Sequence, residues 1–278
     1  MRQGCFRARC AGVRALRAGA RVLHLPRWGL VLIGVLVATA VPARPAVTGI
    51  IGRDEEIRIG RHAAASLEAE VGLTQDPSLA ARAAGVGQRV AAVSDRRGLP
   101  YAFKVLRGRE VNAVSLPGGF VYATEGLVRF VQSDAELAFV MAHEVGHVAA
   151  RHHVVMIERH FLFGLVARVL LGGDATATQI AEIVRFFLSR GFSREFEFEA
   201  DRLAVDYAHR AGYDASAALR FMSRLRASGD RDPGKYEVLL RTHPGLTDRM
   251  ARVREHLRRL GYRDAGVAAV AAVLQALP

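Results

Sequence analysis

The chain has 278 residues, 51% of them hydrophobic, with 39 basic against 27 acidic side chains and a formal net charge of +12. This length and apolar content exclude a disordered or collagen-like chain and suffice for one sizeable core. Its two cysteines, Cys5 and Cys10, lie close to the amino terminus, which excludes a disulfide scaffold for everything that follows.

Seven arginines and no acidic residue precede Trp28; the stretch from Gly29 to Val41 then carries no charge and is followed by Pro42-Ala43. This pattern predicts an export signal over residues 1–43, cleaved after Ala43 or retained as a short signal anchor. Cleavage is favoured, because the run falls short of the roughly 20 apolar residues that span a bilayer comfortably. Arginines on the amino-terminal side place residues 44–278, a single domain, outside the cytoplasm: in the periplasm or at the outer face of the inner membrane. Subtracting those seven charges leaves 32 basic against 27 acidic residues, an excess of five. Dispersed arginine of this kind is a poor footprint for nucleic acid. Association with an anionic membrane surface fits the excess better.

Further along, Asp54 to Glu70 and Pro77 to Val93 read as amphipathic helices and Tyr101 to Arg107 as a strand. Asn112 to Tyr122 reads as a hairpin turning at Pro117-Gly118-Gly119. An exposed edge there would accept an extended peptide as an added strand, with an ordinary buried hairpin as the alternative. Ser133-Asp134-Ala135-Glu136 has the form of a capping box and predicts a helix from about Asp134. Leu137, Met141, Val145 and Val148 form one apolar stripe on it, leaving His143 and His147 off the stripe to face a cleft. The apolar stretches Phe161 to Leu171 and Ile180 to Leu188 are too short to span a bilayer and predict a helical hairpin, covering the site or dipping into a membrane surface. A last helix is expected from Thr247 to Leu260. The fold class is therefore mainly α with a small β-sheet, an α+β domain.

The segment His143-Glu144-Val145-Gly146-His147 carries the chemistry. At i, i+4 on a helix both imidazoles project from one face, close enough to grip one tetrahedral zinc, with Glu144 beside the metal as a proton acceptor for its water. Gly146 costs about 1 kcal/mol against alanine inside a helix, which makes sense if a neighbouring backbone or a substrate packs there. Glu197 and Asp201 are a second i, i+4 pair, able to supply a third ligand and a carboxylate that orients a ligand from behind. Glu195 and Glu199, on another face beside Arg194 and Arg202, read as a solvated charge ladder. His152, His153 and His160 have no motif partner and read as surface histidines.

These motifs resemble the HtpX-like and CAAX-prenyl-protease-like zinc metallopeptidases, marked by H-E-x-x-H followed by E-x-x-x-D on a later helix. The resemblance runs from about Asp54 to Leu260 and is nearest in pattern to the periplasmic BepA-like members, without the helical repeats that some of them carry. It implies a zincin-like domain with the two motif helices packed around one zinc per chain. His143, His147 and Glu197 would be the ligands, and Asp201 the partner of a ligating histidine. Asn112-Ala113-Val114-Ser115-Leu116-Pro117-Gly118-Gly119 resembles the family's N-A-x-x-x-P-G-G strand beside the active site, which makes Asn112, Gly118 and Gly119 substrate-binding candidates. Thr242-His243-Pro244 resembles the T-H-P segment whose histidine closes the site as a fourth ligand, with Arg249 six residues on facing the centre. Read without the resemblance, His243-Pro244 is only a turn before a helix.

The expected activity is hydrolysis of peptide bonds in misfolded or misassembled envelope proteins by zinc-activated water. Glu144 is the general base, and Arg249 or His243 is placed to stabilise the oxyanion. The competing expectations are a non-catalytic zinc-containing chaperone or assembly factor, with His243 closing the site permanently, and a basic membrane-surface or nucleic-acid binder.

Overall fold

The computed structural model describes residues 51–160, 190–229 and 231–262. The expected export signal and the apolar stretches of 161–171 and 180–188 lie outside these residues, as does the side chain of His160. The described residues are mainly helical around a three-stranded sheet. No helix among the described residues is long and apolar enough to cross a membrane.

Helix α1 spans Arg53–Val71 and opens with Asp54, Glu55 and Glu56, acids that suit the positive end of a helix dipole. In α2, Pro77–Ala92, the Asp76 carboxylate accepts from the Ser78 and Leu79 amides at 3.0 and 3.3 Å, and Pro77 supplies the preset first turn. Its buried face, Leu79, Ala83, Val86 and Val90, repeats at helical spacing. The strands are β1 (Ala102–Leu106), β2 (Ala113–Leu116) and β3 (Phe120–Thr124), in the order β1-β3-β2. β3 runs parallel to β1 and antiparallel to β2. The expected turn is a single 3-10 turn, Pro117–Gly119. Gly118 has φ of 79°, and a Cβ there would lie 2.6 Å from Ile57 Cα on α1, so only glycine fits. β2 is an edge strand. The Thr124 amide donates to Asn112 O at 2.9 Å, so by antiparallel alternation the backbone groups of Ala113 and Ser115 point to the free edge.

After α3 (Glu125–Phe130) comes α4, Asp134–Ala149. Ser133 Oγ accepts from the Glu136 amide at 3.2 Å. The Glu136 carboxylate reaches back to the Gln132 amide at 2.8 Å, one residue beyond the cap itself. The apolar stripe is buried as expected, but so is every other residue from Glu136 to Val148. α4 is a central helix, in contact with α2 and β2 as well as with α6 (Arg194–Arg210) and α7 (Ala217–Gly229). Its histidines therefore face a packed interior. The close neighbour anticipated at Gly146 is backbone: a Cβ there would stand 3.0 Å from Ala200 O of α6. This near contact brings the two motif helices together.

Arg151, with φ of 59°, turns the chain out of α4 and into α5, His152–His160. A left-handed conformation costs a non-glycine residue roughly 1–2 kcal/mol. α8 (Pro233–Thr242) and α9 (Leu246–Arg259) close the described fold, and Gly245 makes the turn between them with φ of 80°.

Candidate metal centre

Four side chains from three places in the fold converge. His143 and His147 project from α4, Glu197 from the first turn of α6, and His243 from the end of α8; their ligand atoms lie within 4.8 Å of one another, all buried. His143 Nε2 stands 3.0 Å from His147 Nε2 and 3.5 Å from Glu197 Oε2, and His147 Nε2 stands 3.4 Å from Glu197 Oε1. Bonds of about 2.0–2.1 Å to a tetrahedral zinc separate neighbouring ligand atoms by about 3.4 Å, so this triangle has the right size for one. His243 Nδ1, 3.2 Å from His143 Nε2 and 3.0 Å from Glu197 Oε1, stands at the fourth corner.

The charge around the cluster points the same way. Glu144, Glu197 and Asp201 are buried with Arg249 as the guanidinium among them, so with the histidines neutral, as metal ligation requires, three carboxylates against one cation leave a formal excess of two negative charges. A divalent cation would balance it. Arg249 Nε and Nη2 donate to the two Asp201 oxygens, each at 2.7 Å, while Nη1 lies 2.6 Å from Glu197 Oε2 and donates to His243 O at 3.0 Å. Burial opposes ionisation of Glu197 and Asp201, but the Arg249 guanidinium overrides it and holds both carboxyls below their usual range. With its donors engaged in this way, Arg249 is a clamp on two carboxylates and a turn. That differs from the oxyanion donor expected from sequence.

Asp201 Oδ1 lies 2.9 Å from His143 Nδ1, which selects the Nδ1–H tautomer of the neutral ring, so that Nε2 offers its lone pair to the cluster once the second proton has left. Burial disfavours a charged His143, yet Asp201 and Glu197 outweigh it and raise its pKa to about 9. Burial wins at His147, whose pKa is pushed well below the ordinary value. Glu144 stays outside the ligand set, its Oε1 3.6 Å from His243 Nε2. Its other oxygen accepts from Ser115 Oγ of β2 at 2.6 Å, and His153 Nε2 lies 3.3 Å behind that hydroxyl. A serine has one hydrogen to donate; with that hydrogen on Glu144, His153 is the donor to Ser115.

His152 and His153 are thus buried, at 2% and 1% exposure, and not surface histidines. Burial lowers the pKa of both, that of His153 to about 3. His152 Nδ1 is 2.9 Å from His147 Nδ1, and its Nε2 is 3.5 Å from Glu199 Oε2. Glu199 is therefore half-buried under His152, while Glu195 is exposed as expected. Ser115, His152 and His153 were missed because their placement depends on the β2 edge and on the Arg151 turn, neither of which leaves a spacing signature.

The substrate candidates separate. Asn112 lines a narrow cleft with Ala113, Ser115, Glu144, Phe192 and His243. Gly118 and Gly119 sit at the other end of β2, buried against α1 and Tyr101, and line no cleft at the cluster. A second narrow cleft, also lined by Glu144 and His243, opens between Phe139, Phe221, Met222 and Leu246.

Residues 77–257 match peptidase family M48. A Vibrio cholerae protein provisionally named beta-barrel assembly-enhancing protease is 32% identical over 216 residues, covering 74% of this chain and 44% of that protein. The beta-barrel assembly-enhancing protease of Escherichia coli K12 is 26% identical over 217 residues, with the same shares of 74% and 44%. The mitochondrial metalloendopeptidase OMA1 of Arabidopsis thaliana is 36% identical over 157 residues, 55% of this chain and 31% of that protein. The chain thus spans less than half the length of each of these relatives.

Proposed function

Because this chain belongs to peptidase family M48, we propose that it is a zinc-dependent endopeptidase of the cell envelope, acting on misfolded or misassembled polypeptides after export. The observation that carries the reading is the buried triangle of His143, His147 and Glu197 with a second acid, Glu144, beside it and outside it. A closed structural site has no use for that acid. The basic and apolar amino-terminal pattern supports export, and the names of the relatives support a substrate among envelope proteins.

His143 Nε2, His147 Nε2 and Glu197 would hold one zinc per chain. Zinc in such a site lowers the pKa of water towards about 7 and polarises the scissile carbonyl. Glu144, held by Ser115, takes a proton from the attacking water and returns it to the leaving amine. Asp201 keeps His143 in the ligating tautomer, and Arg249 ties Asp201, Glu197 and the His243 turn together. A substrate strand would run along β2, pairing with the free backbone groups of Ala113 and Ser115 beside Asn112. His243 Nδ1, beside His143 and Glu197, would have to move aside for a scissile carbonyl to reach the triangle.

Glu144→Gln is expected to keep zinc and to lose casein cleavage by about 10³-fold or more, within the range for a lost general base; His143→Ala is expected to lose both. Cleavage retained by zinc-loaded Glu144→Gln protein would refute the role of Glu144. His243 at the fourth corner favours one second reading, a non-catalytic zinc-containing assembly factor. Under that reading His243→Ala weakens zinc binding and no cleavage is seen in either protein; under ours, His243→Ala still cleaves.

A further inference from the structure

Asp201 holds one of the two histidines of α4 in its ligating tautomer; the other, His147, has a partner that no motif announced. We infer that His152 is the positioning residue for His147, accepting the hydrogen of His147 Nδ1 so that His147 Nε2 is kept as a lone pair for the metal. This rests on the zinc reading above.

The two Nδ1 atoms are 2.9 Å apart, so one hydrogen lies between them. His147 Nε2 stands within the ligand cluster, 3.0 Å from His143 Nε2 and 3.4 Å from Glu197 Oε1. A hydrogen on that nitrogen would bar a metal. The shared hydrogen therefore belongs to His147 Nδ1, and His152 Nδ1 accepts it. The hydrogen of His152 is then on Nε2, the atom 3.5 Å from Glu199 Oε2. The order is carboxylate, imidazole, imidazole, metal, where His143 has carboxylate, imidazole, metal.

Both rings are clamped by aromatic faces. Phe192 stacks on His147 with centroids 3.8 Å apart and 23° between planes, and Phe196 stacks on His152 at 4.1 Å and 12°. Phe196 directly precedes Glu197, so one turn of α6 supplies a ligand and fixes the ring behind another. The backbone is shaped to the same end. Had α4 continued, residue 152 would lie about 140° around the helix from residue 147, at 100° per residue. The left-handed Arg151 breaks the helix and returns His152 to His147.

Zinc affinity by chelator competition tests this on the whole exported chain, with wild type, His152→Ala and His152→Asn compared. The asparagine Oδ1 can stand where Nδ1 stood and accept the same hydrogen. His152→Ala is expected to bind zinc about 10–100-fold more weakly, the usual effect of losing such a partner. His152→Asn is expected to recover most of that loss, although both variants melt alike without metal. An alanine variant that folds and binds zinc like the wild type overturns the assignment, as does an asparagine variant no better than alanine. Long-range ¹⁵N histidine spectra of the zinc-loaded wild type give a readout that needs no variant to fold. His147 is expected as the Nδ1–H tautomer and His152 as the Nε2–H tautomer; the Nδ1–H tautomer at His152 overturns the proposal. A wild type that binds no zinc overturns the zinc reading with it, whereas a zinc-binding wild type with an unaffected alanine variant overturns His152 alone.

Discussion

Two buried charged networks meet α4, one at its last turn through Val148 and one at His143 and His147, and both set carboxylates against guanidinium groups with opposite results. In one, Glu56 of α1 receives Arg96 Nη1 and Nη2 at 2.8 and 2.9 Å, has Arg151 Nε at 3.3 Å and accepts the Gly118 amide at 3.3 Å. Arg96 also donates to Val148 O at the end of α4. One carboxylate meets two guanidinium groups, and the network clasps α1, the 3-10 turn and α4. In the other, three buried carboxylates have one guanidinium, which clamps two of them, and ring nitrogens face each other at 3.0 Å. Burial of charge is common to both networks. What distinguishes the second is that its own members leave its negative charge unmatched, which structural networks avoid because an uncompensated buried charge is costly.

The largest test of this contrast removes a cation from each side. Arg249→Met leaves Glu197 and Asp201 buried without their guanidinium and is expected to cost the metal-free protein about 3–5 kcal/mol. Added zinc, whose charge serves the same carboxylates, should reduce that penalty. Arg96→Met costs less, because Arg151 still faces Glu56, and its penalty should be the same with and without zinc. Urea unfolding in chelator and in zinc measures both. Equal responses to zinc would erase the distinction between the two networks.

Protons give the next largest effect. In the metal-free protein the His143 pKa is held up to about 9, above the roughly 6.5 of a free histidine. Its contribution to stability is therefore complete below about pH 6.5 and is lost as pH rises through about 9. The same proton competes with the metal. Between about pH 7 and 9, zinc affinity should rise about tenfold per pH unit while the metal-free melting temperature falls. Calorimetry in buffers of different ionisation heat should find one proton released from His143 per zinc bound. The Glu56 network holds no histidine, and Arg96→Met should leave this profile unchanged.

A pair of glycines separates the networks at smaller amplitude. Gly118 abuts α1 beside Glu56, and Gly146 abuts α6 beside the cluster. Gly118→Ala combines a left-handed backbone with a contact against Ile57 Cα and should cost about 2 kcal/mol of stability, with zinc affinity per folded molecule intact. Gly146→Ala needs Ala200 O to give only a few tenths of an ångström and should cost about 1 kcal/mol. That displacement moves Glu197 relative to His143, so zinc affinity should fall with it. Melting curves and chelator competition on the two variants, read together, would show whether closeness of α4 and α6 sets the metal site.

How much of this could be read in the sequence follows the range of each interaction. The Ser133 cap, the Pro117-Gly118-Gly119 turn, the i, i+4 pairs and the helices near Asp54, Pro77 and Thr247 are local, and each is where its pattern puts it. The close approach at Gly146 was also legible, since a glycine in mid-helix needs a reason. His152 and His153 were not, because five residues along an unbroken helix leads away from His147. The break depends on Arg151 adopting a left-handed conformation that its residue type disfavours, tied to Glu56 and Ile51 by its own side chain. Arg249 was placed at the centre by resemblance, but its partners could only be counted in three dimensions.

Ser115 offers the finest division, within the cluster itself. Its hydroxyl donates to Glu144 and is backed by His153, whereas the ligands are held by Asp201, Arg249 and His152. On the proposed reading, holding the metal and handling the proton therefore fall to different neighbours. Ser115→Ala removes a hydrogen bond to a carboxylate, worth about 1.5 kcal/mol at the low end for charged partners, so kcat/KM on an unfolded substrate should fall about tenfold. Zinc affinity should not change, because no atom of Ser115 reaches a ligand. A parallel loss of zinc would mean that Glu144 and the ligands form one undivided network, and that the contrast with Glu56 describes a whole face of α4 and not two separable tasks.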